Sequence, residues 1–295
     1  MYAQFFGTFL LSHNIVTKDQ LLSALGKKSS QHMKLGTLAI MKGYMTANEV
    51  DNVIISQTHN DCRFGDLAVR EGYLTQEQVD ELVKTQYPDF LLLGQTLVDE
   101  GYITNTQLET LIADYESENE LTDLDYSNEK QDDLDRILAN FFHSTDVAAD
   151  EYNVSYMRLL FNDLTRFIGD DFTPLCFNPC KEYPVNYCVS QTIHGDLSAK
   201  VYLDMPETTC ISFASRYVNE EFTEFDEYVQ ASLEDFLNLH NGLYNVNISN
   251  TLGKELTLEA PEVVSDELIE LSGSSYLLQV MYPFGVINFI FELKK

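Results

Sequence analysis

Five cysteines, at 62, 176, 180, 188 and 210, and six histidines are the side chains with the widest chemical range in this sequence. The cysteines are odd in number and form no paired C-x-x-C units, which argues against a disulfide framework and against structural zinc. Cys176, Cys180 and Cys188 lie close in sequence, yet buried, reduced thiols account for them more simply than a metal cluster does. His194 reads as a turn residue and His240 as a helix-surface residue. No spacing suggests a Ser/His/Asp or Cys/His arrangement. A carboxylate and a carboxamide remain: Asp235 and Asn238 stand three apart in EDFLNLHNGLYNVNISN. On a helix such a pair shares one face and is able to act together. The same spacing also suits a solvated polar face.

The elements that must position this pair follow from the pattern after residue 152. A helix candidate, NVSYMRLLFNDLTRFI, precedes strand-like stretches around 185–205 with a turn at His194-Gly195-Asp196. A helix at 207–217 and a longer one near 224–244 come next, then a strand in ELTLEAPEVV and two closing strands, SYLLQVMYPF and GVINFIFEL. Strands first and last with helices between predict an α+β layer fold.

The first 115 residues are organised differently. Four segments align without gaps, FGTFLLSHNIVTKDQLLSAL, LGTLAIMKGYMTANEVDNVI, FGDLAVREGYLTQEQVDELV and LGQTLVDEGYITNTQLETLI, and their first glycines, Gly7, Gly36, Gly65 and Gly94, recur every 29 residues. Seven residues on stands Asn14, Gly43, Gly72 or Gly101, the residue types that tolerate the left-handed conformation ending a helix. Three further on, Thr17, Thr46, Thr75 or Thr104 is followed at +3 by Gln20, Glu49, Gln78 or Gln107, the signature of a capping box. Each copy therefore reads as a helix–turn–helix unit too small to bury its apolar face alone.

Both halves resemble known families. In the second half, EDFLNLHNGLYNVNISN is similar to the active helix of the CheX/CheC chemotaxis phosphatases, TLGKELTLEAPEVV to the strand that follows it, and LLQVMYPF-GVINFIFEL to their closing hairpin. The resemblance covers roughly 152–295 and implies an antiparallel sheet packed on two long helices. It further implies removal of phosphate from the aspartate of a CheY-like receiver domain of a response regulator, without a covalent enzyme intermediate. Asn238 fills the position that orients the attacking water. Asp235 fills the acid position that contacts the receiver's lysine, where the family has Glu. The carboxylate is thus one methylene shorter, Glu234 points about 100° away around the helix, and the Asp or Ser often found four before the acid is Ala231. Ser155 and Asn162 on the first helix surround Leu159 at the acid position, so one active site is expected. The family implies no cofactor on this chain, magnesium on the receiver, and the possibility of a homodimer.

The repeats resemble the MshEN-type repeats at the front of type II secretion and type IV pilus ATPases, some of which bind cyclic di-GMP through 24-residue units opening with Arg and closing with Gln. Arg63 to Gln86 fits one such unit, and Lys34 to Gln57 fits the other with Lys in place of Arg. Lysine does not reproduce the bidentate, stacking contact of arginine. The alternative is a protein-docking or spacer module.

Charge bounds the partners. The formal charge is −29, divided as −6 over 1–115, −9 over 116–150 and −14 over 151–295. No segment is basic, which disfavours nucleic-acid polymers and anionic membranes. No apolar run approaches the roughly 18 residues of a membrane span, and the opening MYAQFFGTFLLSHNIVTK lacks a signal peptide's basic flank, so a cytoplasmic address is expected. The expected organisation is a repeat domain at 1–115, an acidic linker at 116–150 with a short helix near 133–142, and the α+β domain at 151–295.

Overall fold

The computed structural model describes residues 2–28, 31–85, 87, 89–119, 131–143, 150–264, 267–271 and 274–294. The chain separates into two compact units, Tyr2–Arg136 and Ile137–Lys295.

In the first unit lie α1 (Tyr2–Ser12), α2 (Lys18–Lys28), α3 (Leu35–Met41), α4 (Ala47–Gln57), α5 (Phe64–Arg70), α6 (Gln76–Lys84), α7 (Asp89–Asp99) and α8 (Asn105–Glu118). Thr17, Thr46, Thr75 and Thr104 each accept from the backbone N–H three residues on, and the Glu or Gln there accepts in return, so all four capping boxes are formed. Asn14, Gly43, Gly72 and Gly101 all have positive φ. The first glycines have a different task. A Cβ on Gly36 would lie 2.8 Å from Val50, and one on Gly94 would lie 2.5 Å from Leu108. These glycines let α3 and α7 press against α4 and α8. The helices do not stack in simple chain order, because α7 packs on both α1 and α2 while α4 packs on both α5 and α8. The position equivalent to buried Leu25 and Ile112 is exposed in the two middle copies, at Ile54 and Val83.

α9 (Gln131–His143) falls within the expected linker, whose residues 120–130 and 144–149 lie outside the described ones. Its second half belongs to the second unit, where Phe141 and Phe142 meet the ring of Phe177 at 5.3 and 5.4 Å.

The second unit continues with α10 (Glu151–Asp163), whose N-terminus is capped by Asp150, and a wide helical turn at Leu164–Ile168. Then come β1 (Thr173–Pro174), β2 (Asn178–Pro179), β3 (Glu182–Pro184), β4 (Tyr187–Gly195), β5 (Ser198–Met205), α11 (Glu207–Val218) and α12 (Glu227–Leu252). The chain closes with β6 (Leu256–Leu258), β7 (Glu262–Val264), β8 (Leu268–Glu270), β9 (Ser274–Tyr282) and β10 (Gly285–Lys294). The main sheet runs β1-β9-β10-β5-β4-β6, with β2 on β9 and β7 on β4, while β3 and β8 form a separate pair. Every pairing is antiparallel. α12 packs on α10, on α11 and on β4, which sets the candidate pair over the sheet.

Three local expectations are corrected. α12 continues to Leu252 rather than ending near 244, because Tyr244 and Ile248 are fully buried and outweigh the weak helix propensity of the asparagines around them. Gly253, at φ +64, ends it. The strand read in ELTLEAPEVV is two strands, interrupted where Pro261 cannot donate to a ladder. His194 lies within β4, so the turn follows it.

Candidate functional site

Asp235 and Asn238 both lie on the exposed side of α12, in a stripe that includes Tyr228, Ala231, Gly242 and Val246. Tyr228 is 65% and Val246 58% exposed, so apolar surface flanks the polar pair on both sides.

Each member is tied to a different neighbour. Asp235 Oδ2 accepts a hydrogen bond of 2.6 Å from the Tyr217 hydroxyl, which α11 delivers from its last turn. Burial, and then the Asp235 carboxylate, hold the Tyr217 hydroxyl well above its ordinary pKa, so it remains a donor. Asn238 Oδ1 accepts from Gln191 Nε2 at 2.9 Å. Gln191 is 1% exposed, on β4 beneath the helix, and its Oε1 accepts from Asn241 Nδ2 at 2.8 Å. Asn241 Oδ1 in turn accepts from the buried Tyr156 hydroxyl at 2.8 Å. Asn241 is thus a member of a buried polar chain running from α10 to the surface. Gln191 and Tyr217 were missed, since no motif marks a side chain whose partner is a distant residue of another element. Glu234 is half-buried near the Tyr187 hydroxyl, whose pKa burial chiefly, and then Glu234, push up to about 12.

His240 is not a surface residue. It is 1% exposed, its Nδ1 lies 2.7 Å from Asp163 Oδ2, and the Tyr156 ring meets it edge-on at 4.6 Å. Burial lowers its pKa against the opposing effect of Asp163, whose carboxylate accepts from Nδ1–H. The position follows from helix geometry: 236, 237, 240, 241 and 244 form the buried stripe of α12.

Cys62, Cys180, Cys188 and Cys210 are free thiols. Cys188 and Cys210 are buried, Cys176 and Cys180 only partly so, and Cys62 is exposed. Burial pushes the Cys210 thiol up to about 12. Among the described residues no three His, Cys, Asp or Glu side chains are grouped to hold a metal.

Of the residues expected to hold cyclic di-GMP, Lys34 and Gln57 line one cavity of about 350 Å³ in the first unit, with Phe64, Gln95, Asp99 and Asn105. Lys34 Nζ is paired there with Asp99, and Gln57 Nε2 donates to the Cys62 carbonyl. Arg63 stands exposed before α5 and is not part of this cavity, and Gln86 lies outside the described residues.

Residues 187–285 match the family model described as chemotaxis phosphatase CheX, which makes that stretch, about a third of the chain, a CheX-family domain. It contains β4, β5, α11, α12 and both members of the pair. Several solved structures are similar to about half of the chain. The CheX chemotaxis protein of Desulfovibrio desulfuricans has 12% identity and a TM-score of 0.43, covering 49% of this chain and 100% of that one. A CheC-like superfamily protein from Shewanella sp. PV-4 has 15% identity and a TM-score of 0.44, covering 50% and 100%. A chain of the CheX–CheY–BeF3–Mg complex from Borrelia burgdorferi has 15% identity and a TM-score of 0.41, covering 49% and 99%. Comparison with curated protein sequences finds no match. No helix among the described residues is long and apolar enough to cross a membrane.

Proposed function

We propose that the second unit is a phosphatase acting on the aspartyl phosphate of a CheY-like receiver domain, in chemotaxis or related two-component signalling. One observation carries the reading: an acid and an amide, Asp235 and Asn238, stand three apart on the exposed face of the long helix of a CheX-family domain. Tyr228 and Val246 supply apolar contact surface at either side of the pair.

In this reading the receiver brings its own magnesium with the phosphoryl group, and α12 docks over both. Asn238 holds a water in line with phosphorus. The water oxygen bonds to phosphorus as the bond between phosphorus and the receiver's aspartyl oxygen breaks. The aspartate leaves as a carboxylate, and both of the water's protons leave with inorganic phosphate, as dihydrogen phosphate. Such a transfer is governed by positioning and electrostatics, which a carboxamide supplies without exchanging a proton. Asp235 meets the receiver's lysine. The test is the decay of a phosphorylated receiver: this protein accelerates it, and Asn238→Ala abolishes the gain while receiver binding persists. Decay unchanged by the wild-type chain despite binding identifies a docking module instead.

The repeats fit a docking role on a separate observation, the exposure of Ile55 (59%) and Val83 (72%) on α4 and α6. Calorimetry with cyclic di-GMP distinguishes the alternatives: the docking reading expects no heat at millimolar ligand, and heat that Arg63→Ala removes would restore the nucleotide.

A further inference from the structure

We infer that Gln191 is a positioning residue that fixes which end of the Asn238 carboxamide faces a docked partner, turning Nδ2 outward as the donor and Oδ1 inward. The inference rests on the proposed phosphatase reading for its consequence, though not for its geometry.

The two ends of a carboxamide are chemical opposites: the oxygen only accepts and the NH2 only donates. Their assignment here starts from a group that has no choice. β6 and β7 are separate strands, and the backbone between them leaves the Glu259 carbonyl outside the β4 ladder. That carbonyl lies 2.8 Å from the Gln191 side chain. A carbonyl only accepts, so the end of Gln191 beside it is Nε2. The same Nε2 lies 2.9 Å from the Asn238 side chain. An NH2 group has nothing to accept with, so the Asn238 atom there is Oδ1.

The far side of Gln191 agrees. Its remaining end, Oε1, accepts from Asn241 Nδ2 at 2.8 Å, and Asn241 Oδ1 accepts from the Tyr156 hydroxyl. Gln191 and Asn241 are 1% and 0% exposed, so water has no room to replace a lost partner. Reversing Asn238 would set its NH2 against the Gln191 NH2. Reversing Gln191 as well would set its oxygen against the Glu259 carbonyl and strand Asn241 Nδ2. Buried polar groups left unmade are costly, and the whole chain therefore holds one orientation.

The consequence is specific. Asn238 meets its partner with two N–H donors, one to hold the attacking water by its oxygen and one for a phosphoryl oxygen, while the water keeps a lone pair for phosphorus. Aspartate at this position would still accept from Gln191 but would present negative charge to the phosphoryl group.

The experiment pairs kinetics with side-chain amide exchange on the full chain. In the wild type, NMR should show both Gln191 Nε2 protons protected from solvent exchange and the Asn238 Nδ2 protons exchanging freely. Gln191→Met keeps length and removes the donors. Against a receiver that the wild type dephosphorylates, it should lower kcat by about ten- to a hundred-fold with KM nearly unchanged. Gln191→Glu keeps the acceptor for Asn241, turns Asn238 round, and should lower kcat alike. An unchanged kcat in a folded variant, or a rise in KM alone, overturns the inference. So does protection on Asn238 Nδ2 in place of Gln191 Nε2. If the variants do not fold, or if the wild type dephosphorylates no receiver, wild-type amide exchange decides the inference. The latter result sinks the phosphatase reading separately.

Discussion

Tyr217→Phe should raise phosphatase activity. In the free protein the Asp235 carboxylate accepts a 2.6 Å hydrogen bond from the Tyr217 hydroxyl, which draws it toward α11. Under the proposed function that carboxylate must turn to the receiver's lysine, and it is one methylene shorter than the glutamate of the family. A hydrogen bond to a charged group contributes about 1.5–3 kcal/mol. Asp235 is exposed and Tyr217 half-buried, so solvent reduces the figure to about 1 kcal/mol. Removing the hydroxyl lowers the cost of engagement by that amount, or about five-fold in kcat/KM. The ring contacts of Tyr217 with Phe213 and Phe236 survive in phenylalanine, so the fold is kept. Asp235→Glu should act in the same direction, since the longer side chain reaches past α11. The assay is the decay of a receiver phosphorylated by a small-molecule donor, followed over a range of receiver concentrations. A fall in kcat/KM on Tyr217→Phe would refute the reasoning and make Tyr217 a support that Asp235 needs.

Two further outcomes concern stability. Burial sets the His240 pKa below its ordinary 6.5, so between the two values the unfolded chain binds the extra proton. Stability is therefore fully present above about 6.5 and declines as pH falls below it. Calorimetric Tm should drop more steeply between pH 7.5 and 5.5 in the wild type than in His240→Gln, and equal slopes would contradict this. Gly94→Ala places a Cβ 2.5 Å from Leu108 Cδ1, and Leu108 is fully buried. Overpacking of this kind costs about 1–3 kcal/mol, read as a lower urea midpoint.

Much of the fold was legible because local chemistry and tertiary structure agree. Thr46, Thr75 and Thr104 cap helices whether or not anything packs on them, and Gly43 or Gly72 ends one for reasons internal to the backbone. The alternation of VNYCVSQTIHG and SAKVYLDM places a hairpin without knowledge of the rest. What failed depended on distant neighbours. The last two turns of α12 exist because Tyr244 and Ile248 are buried, and the asparagines between them carry no sign of that. The short strands β1, β2, β3 and β8, of two or three residues, are defined by partners in β9 and in each other. Nor does a 29-residue period disclose that α7 packs on both α1 and α2.

The candidate pair itself was legible only as two residues on one helix face. What each of them can do is decided by residues far along the chain, Tyr217 for Asp235 and Gln191 for Asn238. The difference between the two partners is chemical. Tyr217 gives a single bond at a solvent-facing carboxylate, and such a bond can be exchanged for another when a cation arrives. Gln191 stands in a closed series of donors and acceptors between a backbone carbonyl and a buried tyrosine, and no member can turn without leaving another unsatisfied. The acid is held so that it can be released, and the amide is held so that it cannot turn. Under the proposed function, a site that engages a receiver at one point and places a water at another is served by that division. Substitution at 217 should therefore alter chiefly how well a receiver is engaged, and substitution at 191 chiefly how fast the engaged phosphate is lost.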